Sequence, residues 1–312
     1  MTYFVTGATG FIGAHLVRAL LHDGVSVKAF VRPSADAAGL AGLDVELCEG
    51  DLMQVADVRR HAAGADACFH LAAKLVAKEA ADLQRTNVDG SRAVLEGALD
   101  AGCSVVVHTS TIGTLSRADG SPAREADARL PPGASEYVRS KHAADEIARA
   151  LAARGAPVVL AHPSAPVGAW DRAPTFTGRR IMEVLEGKLP RWPAERVNHV
   201  YVGDVARGLV LAAARGAPGR SYILAHREGN LTRDEFVSLV ARAAGISPPR
   251  RARGIFAWLR AWRGRSEGAG DTAPSLACDP SASIAELELP QTPLPQAFAE
   301  AVAWFRGGSS AR

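Results

Sequence analysis

The chain reads as an α/β protein, a doubly wound parallel sheet with helices on both faces and a smaller C-terminal lobe. Three observations predict this. Short apolar runs at residues 3–5, 26–31, 44–48, 67–71, 105–108 and 157–162 have the length and composition of buried strands. Segments with apolar residues at helical spacing lie between them, as in Ile12, Leu16, Val17, Leu20 and Leu21. The first strand meets the first helix across a tight run of three glycines. Residues 1–163 form the sheet domain, with 198–228 returning to it, while 164–197 and 229–312 form the lobe.

The glycine run is Gly7-Ala8-Thr9-Gly10-Phe11-Ile12-Gly13. Gly7 suits the sharp exit from a strand, Gly10 brings no Cβ to a passing pyrophosphate, and Gly13 lets the helix lie close to the strand. The unpaired N–H groups of the first helical turn point at the place where phosphates would sit. Gly7, Thr9, Gly10, Phe11, Ile12 and Gly13 are therefore the candidate dinucleotide residues. The wide spacing Gly-x-x-Gly-x-x-Gly resembles the short-chain dehydrogenase/reductase superfamily, and Gly-Ala-Thr-Gly-Phe-Ile-Gly resembles its extended branch. That resemblance implies a Rossmann-type sheet.

Composition excludes several classes. Among 312 residues, 47% are hydrophobic and 22% charged, which is ordinary for a globular protein. A net charge of +3 is too small to argue for nucleic acid. The apolar stretch 208–214, set between Arg207 and Arg215, is far too short to span a bilayer. With a strand starting at Tyr3 there is no room for a signal peptide, so a soluble, cytoplasmic protein without stable membrane insertion is expected. Cys48, Cys68, Cys103 and Cys278 form no C-x-x-C pair, so buried thiols and no metal are expected.

Strand two ends at Arg32-Pro33-Ser34, where an acid would read a ribose 2′-hydroxyl and an arginine suits a 2′-phosphate. Arg32 favours NADP(H) over NAD(H), against the alternative of a plain surface arginine. Strand three leads to Asp51-Leu52, which the resemblance sets against the adenine. After a helix at about 54–63, strand four closes on His70-Leu71-Ala72-Ala73, similar to the family's small-residue turn beside the cofactor. His70 reads as satisfied by its neighbours rather than as a base or ligand. Asn87-Val88-Asp89-Gly90-Ser91 opens a long helix as the family's Asn-Val-x-Gly-Thr does. The resemblance has Asn87 hold an active-site kink or water, the alternative being a polar residue early in a helix.

Strand five delivers Thr109-Ser110-Thr111 to the carboxyl edge. A proline-bearing stretch, 116–133, reads as a loop over the site. Then Tyr137 and Lys141, four apart, share a face of the helix from Ser135 to about Arg154. Thr111, Tyr137, Lys141 and Asn87 are the candidate catalytic residues, with Ser110 as fallback for Thr111 and with Tyr137 and Lys141 also touching the cofactor. An ammonium at Lys141 and the positive nicotinamide of the oxidised cofactor are together expected to pull the Tyr137 phenol down toward the working range. Strand six ends in Pro163-Ser164, which in relatives packs near the nicotinamide. Asn198-His199-Val200-Tyr201-Val202-Gly203-Asp204-Val205-Ala206 resembles the family's His-Val-x-Asp-Val-Ala, and the dihydroflavonol-reductase-like group and the hopanoid-associated epimerases are the nearest match.

Thr232-Arg233-Asp234-Glu235 is a capping-box signature. Residues 250–265 hold six arginines and an apolar stripe of Ile255, Trp258, Leu259 and Trp262, which suits a lobe helix or one that docks on a membrane or acidic partner. The resemblance implies an NADP(H)-dependent reductase of a ketone on a small, largely apolar or polycyclic substrate. Trp170, Trp192, Trp258 and Trp262 favour such a substrate. A sugar-nucleotide epimerase or dehydratase with recycled cofactor is the alternative, its diphosphate clamp drawn from Arg191, Arg196 or the arginines after Pro249. A cofactor-sensing binding protein without turnover is the other, and a homodimer through the helices from Asn87 and Tyr137 is expected by analogy.

Overall fold

A computed structural model describes residues 1–115, 117, 119–192, 195–249 and 276–307. Its strands are β1 (Thr2–Thr6), β2 (Ser26–Val31), β3 (Val45–Glu49), β4 (Ala67–His70), β5 (Val105–Thr109), β6 (Val158–Pro163), β7 (Ala165–Val167), β8 (Val197–Tyr201), β9 (Ser221–Leu224) and β10 (Asn230–Leu231). The helices are α1 (Phe11–His22), α2 (Val55–Ala62), α3 (Ala80–Gln84), α4 (Gly90–Asp100), α5 (Glu136–Ala153), α6 (Phe176–Leu185), α7 (Val202–Arg215), α8 (Arg233–Ala244), α9 (Ser281–Leu287) and α10 (Leu294–Gly307).

Seven strands form one sheet in the order β3-β2-β1-β4-β5-β6-β9. Every pairing in it is parallel. Parallel strands are covered on both faces, which is why β4 and β6 are buried throughout. Leu16 and Leu20 of α1 and Val205 and Leu209 of α7 cover one face. On the other lie Val58 of α2, Val94 and Leu95 of α4, and Ala148 and Leu151 of α5. The strand order reverses between β1 and β4, and an open sheet of this kind binds ligands in the crevice at that point.

Segment 198–228 divides between the two layers. Its first strand, β8, lies in a small sheet of order β10-β8-β7, while α7 packs on α1 and β9 joins the large sheet beside β6. The lobe has its own core, in which Ile181 and Val184 of α6, Phe236 and Val240 of α8, and Phe298 and Ala301 of α10 meet. The capping box is present. Thr232 Oγ1 accepts from the Glu235 N–H at 3.3 Å, and Glu235 Oε2 accepts from the Thr232 N–H at 2.7 Å.

Two elements differ from expectation. Helix α6 arises in a lobe stretch to which the sequence reading assigns no element, capped by Thr175, whose hydroxyl accepts from the Gly178 N–H. The helix expected to open at Asn87 begins earlier, at Ala80, and continues through a π-helical turn, Arg85–Asp89, into α4. The stretch 250–265 lies outside the described residues.

Candidate active site

The glycine turn is built as its spacing implies. Gly7 has φ 72°, and a Cβ there would come within 2.6 Å of the Ala72 backbone N. A Cβ on Gly13 would collide with the Gly7 carbonyl oxygen. Gly10 differs: the nearest atom to a Cβ there is the Gly7 carbonyl oxygen at 3.3 Å, with nothing else close. Two of the glycines are thus required by packing, and the third leaves a bare approach to the start of α1, whose cap residue Gly10 offers no side-chain bond. Such a cradle fits a pyrophosphate.

Beside it, the turn after β4 is held from below by a chain of hydrogen bonds. The Ala72 N–H donates to Thr6 Oγ1 at 3.3 Å, and Thr6 Oγ1 lies 2.8 Å from His70 Nδ1. His70 Nε2 lies 2.9 Å from Ser91 Oγ, which donates to the Asn87 carbonyl at 2.6 Å. Because the Ser91 proton is already committed, His70 carries its own proton on Nε2 and accepts from Thr6. Burial, with His108 and the Lys141 ammonium beside it, holds the His70 ring far below the usual imidazole range, so it stays neutral. His70 is a structural histidine satisfied by its neighbours.

Asn87 sits in the π-helical turn and is fully buried. Its Oδ1 accepts from the Lys74 N–H at 2.7 Å, and its Nδ2 donates to the Lys74 carbonyl at 2.9 Å and to Ser140 Oγ at 2.9 Å. The carboxamide thereby pins the loop after β4 to the first turns of α5. That is a positioning contact on backbone, of the kind expected of a residue that holds a kink.

Helix α5 is capped by Ser135, whose hydroxyl accepts from the Val138 N–H at 3.3 Å. Its face presents Tyr137 and Lys141, with Lys141 only 1% exposed. Neither the phenol nor the ammonium makes a hydrogen bond among the described residues. Burial lowers Lys141 to about 8, opposed by the nearby Asp145. Burial pushes Tyr137 up to about 12, aided by the same carboxylate. In the chain alone desolvation outweighs an ammonium that is not hydrogen-bonded to the phenol, and the nicotinamide charge, the other half of the expected fall, would act only with cofactor bound.

At the end of β5, Ser110 Oγ donates to Asp145 Oδ2 at 2.7 Å. Thr111 is half-buried, its Oγ1 accepts from the Gly113 N–H at 3.3 Å, and its own proton is uncommitted. Thr111 rather than Ser110 thus offers a free hydroxyl donor. The turn that follows packs on α5, since a Cβ on Gly113 would meet Val138 Cγ2 at 3.1 Å.

A glycine cradle between a strand and a helix start fits a dinucleotide, and the Tyr–Lys pair lies on α5, the long helix that follows β5. A model of the NAD dependent epimerase/dehydratase family matches residues 3–225. The chain belongs to that family. It is therefore a nicotinamide-dependent oxidoreductase of the extended short-chain dehydrogenase/reductase type. A Synechocystis sp. protein provisionally named a dihydroflavonol 4-reductase is 34% identical, over 97% of this chain and 94% of its own. Sterol demethylase protein B of Methylococcus capsulatus is 32% identical over 98% of each. The solved structure of the dTDP-glucose 4,6-dehydratase DesIV of Streptomyces venezuelae, with NAD bound, superposes with a TM-score of 0.81 at 25% identity, over 99% of this chain and 98% of that one.

The remaining candidate positions of this family member divide. Arg32 is exposed just after β2, its carbonyl accepts from the Ala35 N–H at 2.9 Å, and its guanidinium makes no hydrogen bond or ion pair among the described residues. Asp51 is exposed, its Oδ1 accepting from the Met53 N–H at 3.0 Å, and Leu52 packs against Gly90 of α4. Leu71, Ala72 and Ala73 are partly open. Pro163 ends β6, and the Ser164 hydroxyl donates to Asn198 Oδ1 at 3.0 Å. Asn198, fully buried, also donates to the His226 carbonyl and to Asn230 Oδ1, and so ties that turn to β8 and β10.

The tryptophans do not carry the weight expected of them. Trp170 lies between Arg18, 4.1 Å from its ring, and the stacked Trp304, and Trp192 packs on His199 and Phe236. Trp258 and Trp262 fall outside the described residues. Sequence reasoning passed over Thr6, Ser140 and Asp145, of which Asp145 had a usable signal, the spacing of four that continues Tyr137 and Lys141 along one face.

Proposed function

We propose that the protein reduces a ketone to a secondary alcohol with NADPH, on a small, largely apolar or polycyclic substrate. The observation that carries this is the half-buried Tyr137 and the buried Lys141, both without a hydrogen-bond partner among the described residues, on one face of α5. Bound there, the nicotinamide supplies the hydride. Tyr137, raised by burial and so fully protonated at neutral pH, donates its proton to the carbonyl oxygen as charge develops. Thr111 donates a second hydrogen bond to the same oxygen, and the Lys141 ammonium steadies the phenolate that remains and holds the ribose. Exposed Leu75 and Val76 after β4, with Leu130 ahead of α5, give the loops around the strand ends an apolar character. Arg196, a candidate for a diphosphate clamp, donates instead to the Asn230 carbonyl and pairs with Glu235.

Purified protein given NADPH and a panel of cyclic and steroid-like ketones should consume NADPH in proportion to alcohol formed. Conversion of a nucleotide sugar with no net change in cofactor would favour the epimerase reading and sink this one. The unpaired Arg32 supports NADPH over NADH. Pairing with the 2′-phosphate contributes about 1.5–3 kcal/mol, a preference of roughly 10- to 100-fold, and Arg32→Asp should reverse the order. Equal affinities for the two cofactors in calorimetry would remove the case for NADP(H).

A further inference from the structure

Beneath Tyr137 and Lys141 lies a closed set of buried polar groups that the reaction does not use. Asp145, one turn beyond Lys141 on α5, is fully buried. Its two oxygens are held from β5, Oδ2 by the Ser110 hydroxyl at 2.7 Å and Oδ1 by His108 Nε2 at 3.1 Å. From β6, His162 Nδ1 lies 3.3 Å from the Thr111 carbonyl and 3.2 Å from Thr114 Oγ1. Its Nε2 lies 3.1 Å from Ser221 Oγ of β9, which accepts from Arg149 at 3.2 Å.

The titratable groups facing the carboxylate are Tyr137 and Lys141 on its own helix, His108 on β5 and His162 on β6, with Arg149 beside the two histidines and His70 of β4 beside His108 and Lys141. Burial holds all three histidines below their ordinary range, His162 at about 4, so they are neutral at physiological pH. Among the described residues, Asp145 and Lys141 are then the fully buried opposite charges of this layer. A buried ammonium without a counter-charge gives up its proton.

We propose that Asp145 is a positioning residue for this site. Its carboxylate, fixed by His108 and Ser110, keeps the buried Lys141 in the ammonium form and seats the end of β5 so that Thr111 faces the reacting oxygen. The role rests on the functional reading above only in what Lys141 is for, since the protonation of Lys141 is measurable without substrate or cofactor.

The chain has five lysines, Lys28, Lys74, Lys78, Lys141 and Lys188, so ¹³C-lysine NMR resolves each one. In the full-length native protein, Lys141 should titrate well below the others. In Asp145→Asn its midpoint should fall by about 1–3 pH units, the effect expected of removing a nearby opposite charge. Asp145→Glu, which restores the charge, should bring the midpoint back to within about half a unit of the native value. Ser110→Ala, which removes one hydrogen bond but no charge, should leave it unmoved. An unchanged Lys141 midpoint in folded Asp145→Asn overturns the proposal. Should that variant not fold, a fall of a whole unit in Asp145→Glu overturns it instead. A ketone assay that shows no turnover bears on the reductase reading and leaves these midpoints as they are.

Discussion

Tyr137 is useful to a reduction because its proton is in place before the reaction starts. Tyr137→Phe keeps the ring and its packing and removes that proton, so kcat should fall about 10²- to 10⁴-fold while NADPH affinity stays nearly constant. Thr111→Ala should cost less, and Thr111→Ser, which preserves the hydroxyl, should be tolerated; steady-state kinetics with titrated cofactor reads all three. Near-native turnover by folded Tyr137→Phe would mean that the proton comes from elsewhere. The Tyr–Lys pair was legible in the sequence because a spacing of four fixes a shared helical face whatever the surroundings. The direction of the Tyr137 shift was not, because desolvation depends on what packs over the helix, which spacing does not encode. Asp145 is followed at once by Glu146, and only the helical phase set by Tyr137 and Lys141 tells that the first is buried while the second faces solvent.

The turn from β1 into α1 separates what the fold needs from what a ligand needs. Gly13→Ala forces a methyl against the Gly7 carbonyl and should destabilise the protein by about 1–3 kcal/mol, seen as a lower midpoint in urea. Gly10→Ala meets only one atom at 3.3 Å, so it should fold with a nearly native midpoint yet bind NADPH at least about tenfold more weakly. A Gly10→Ala protein that binds NADPH normally would show that the dinucleotide does not lie over this turn. Strand-helix alternation made β1 to β6 legible, since each strand is a continuous apolar run. The π-helical turn that aims Asn87 at Lys74 was not, because one extra residue in a helical turn leaves no mark on composition or period. For the same reason the resemblance could have Asn87 hold a kink or a water without telling that the backbone it holds is that of Lys74.

In the whole molecule, the sheet is finished by a strand that the chain reaches late. β9 is short and separated from β6 by the lobe elements β7, α6 and β8, so nothing in its four residues announces a place in the large sheet. Residues 1–163, read from the sequence as the bulk of the sheet domain, therefore lack the strand that covers β6 and the helix α7 that covers α1. A protein ending at residue 163 should aggregate in size-exclusion chromatography while the full chain does not, because β6 would present an unpaired, mostly apolar edge that is otherwise buried. A monodisperse 1–163 fragment would count against that. The same geometry bears on synthesis. About 60 residues separate Pro163 from Leu224, which is roughly 3–12 s of translation at ordinary rates. For those seconds the nascent chain carries an open strand edge outside the ribosome, and it is a client for any chaperone that recognises one.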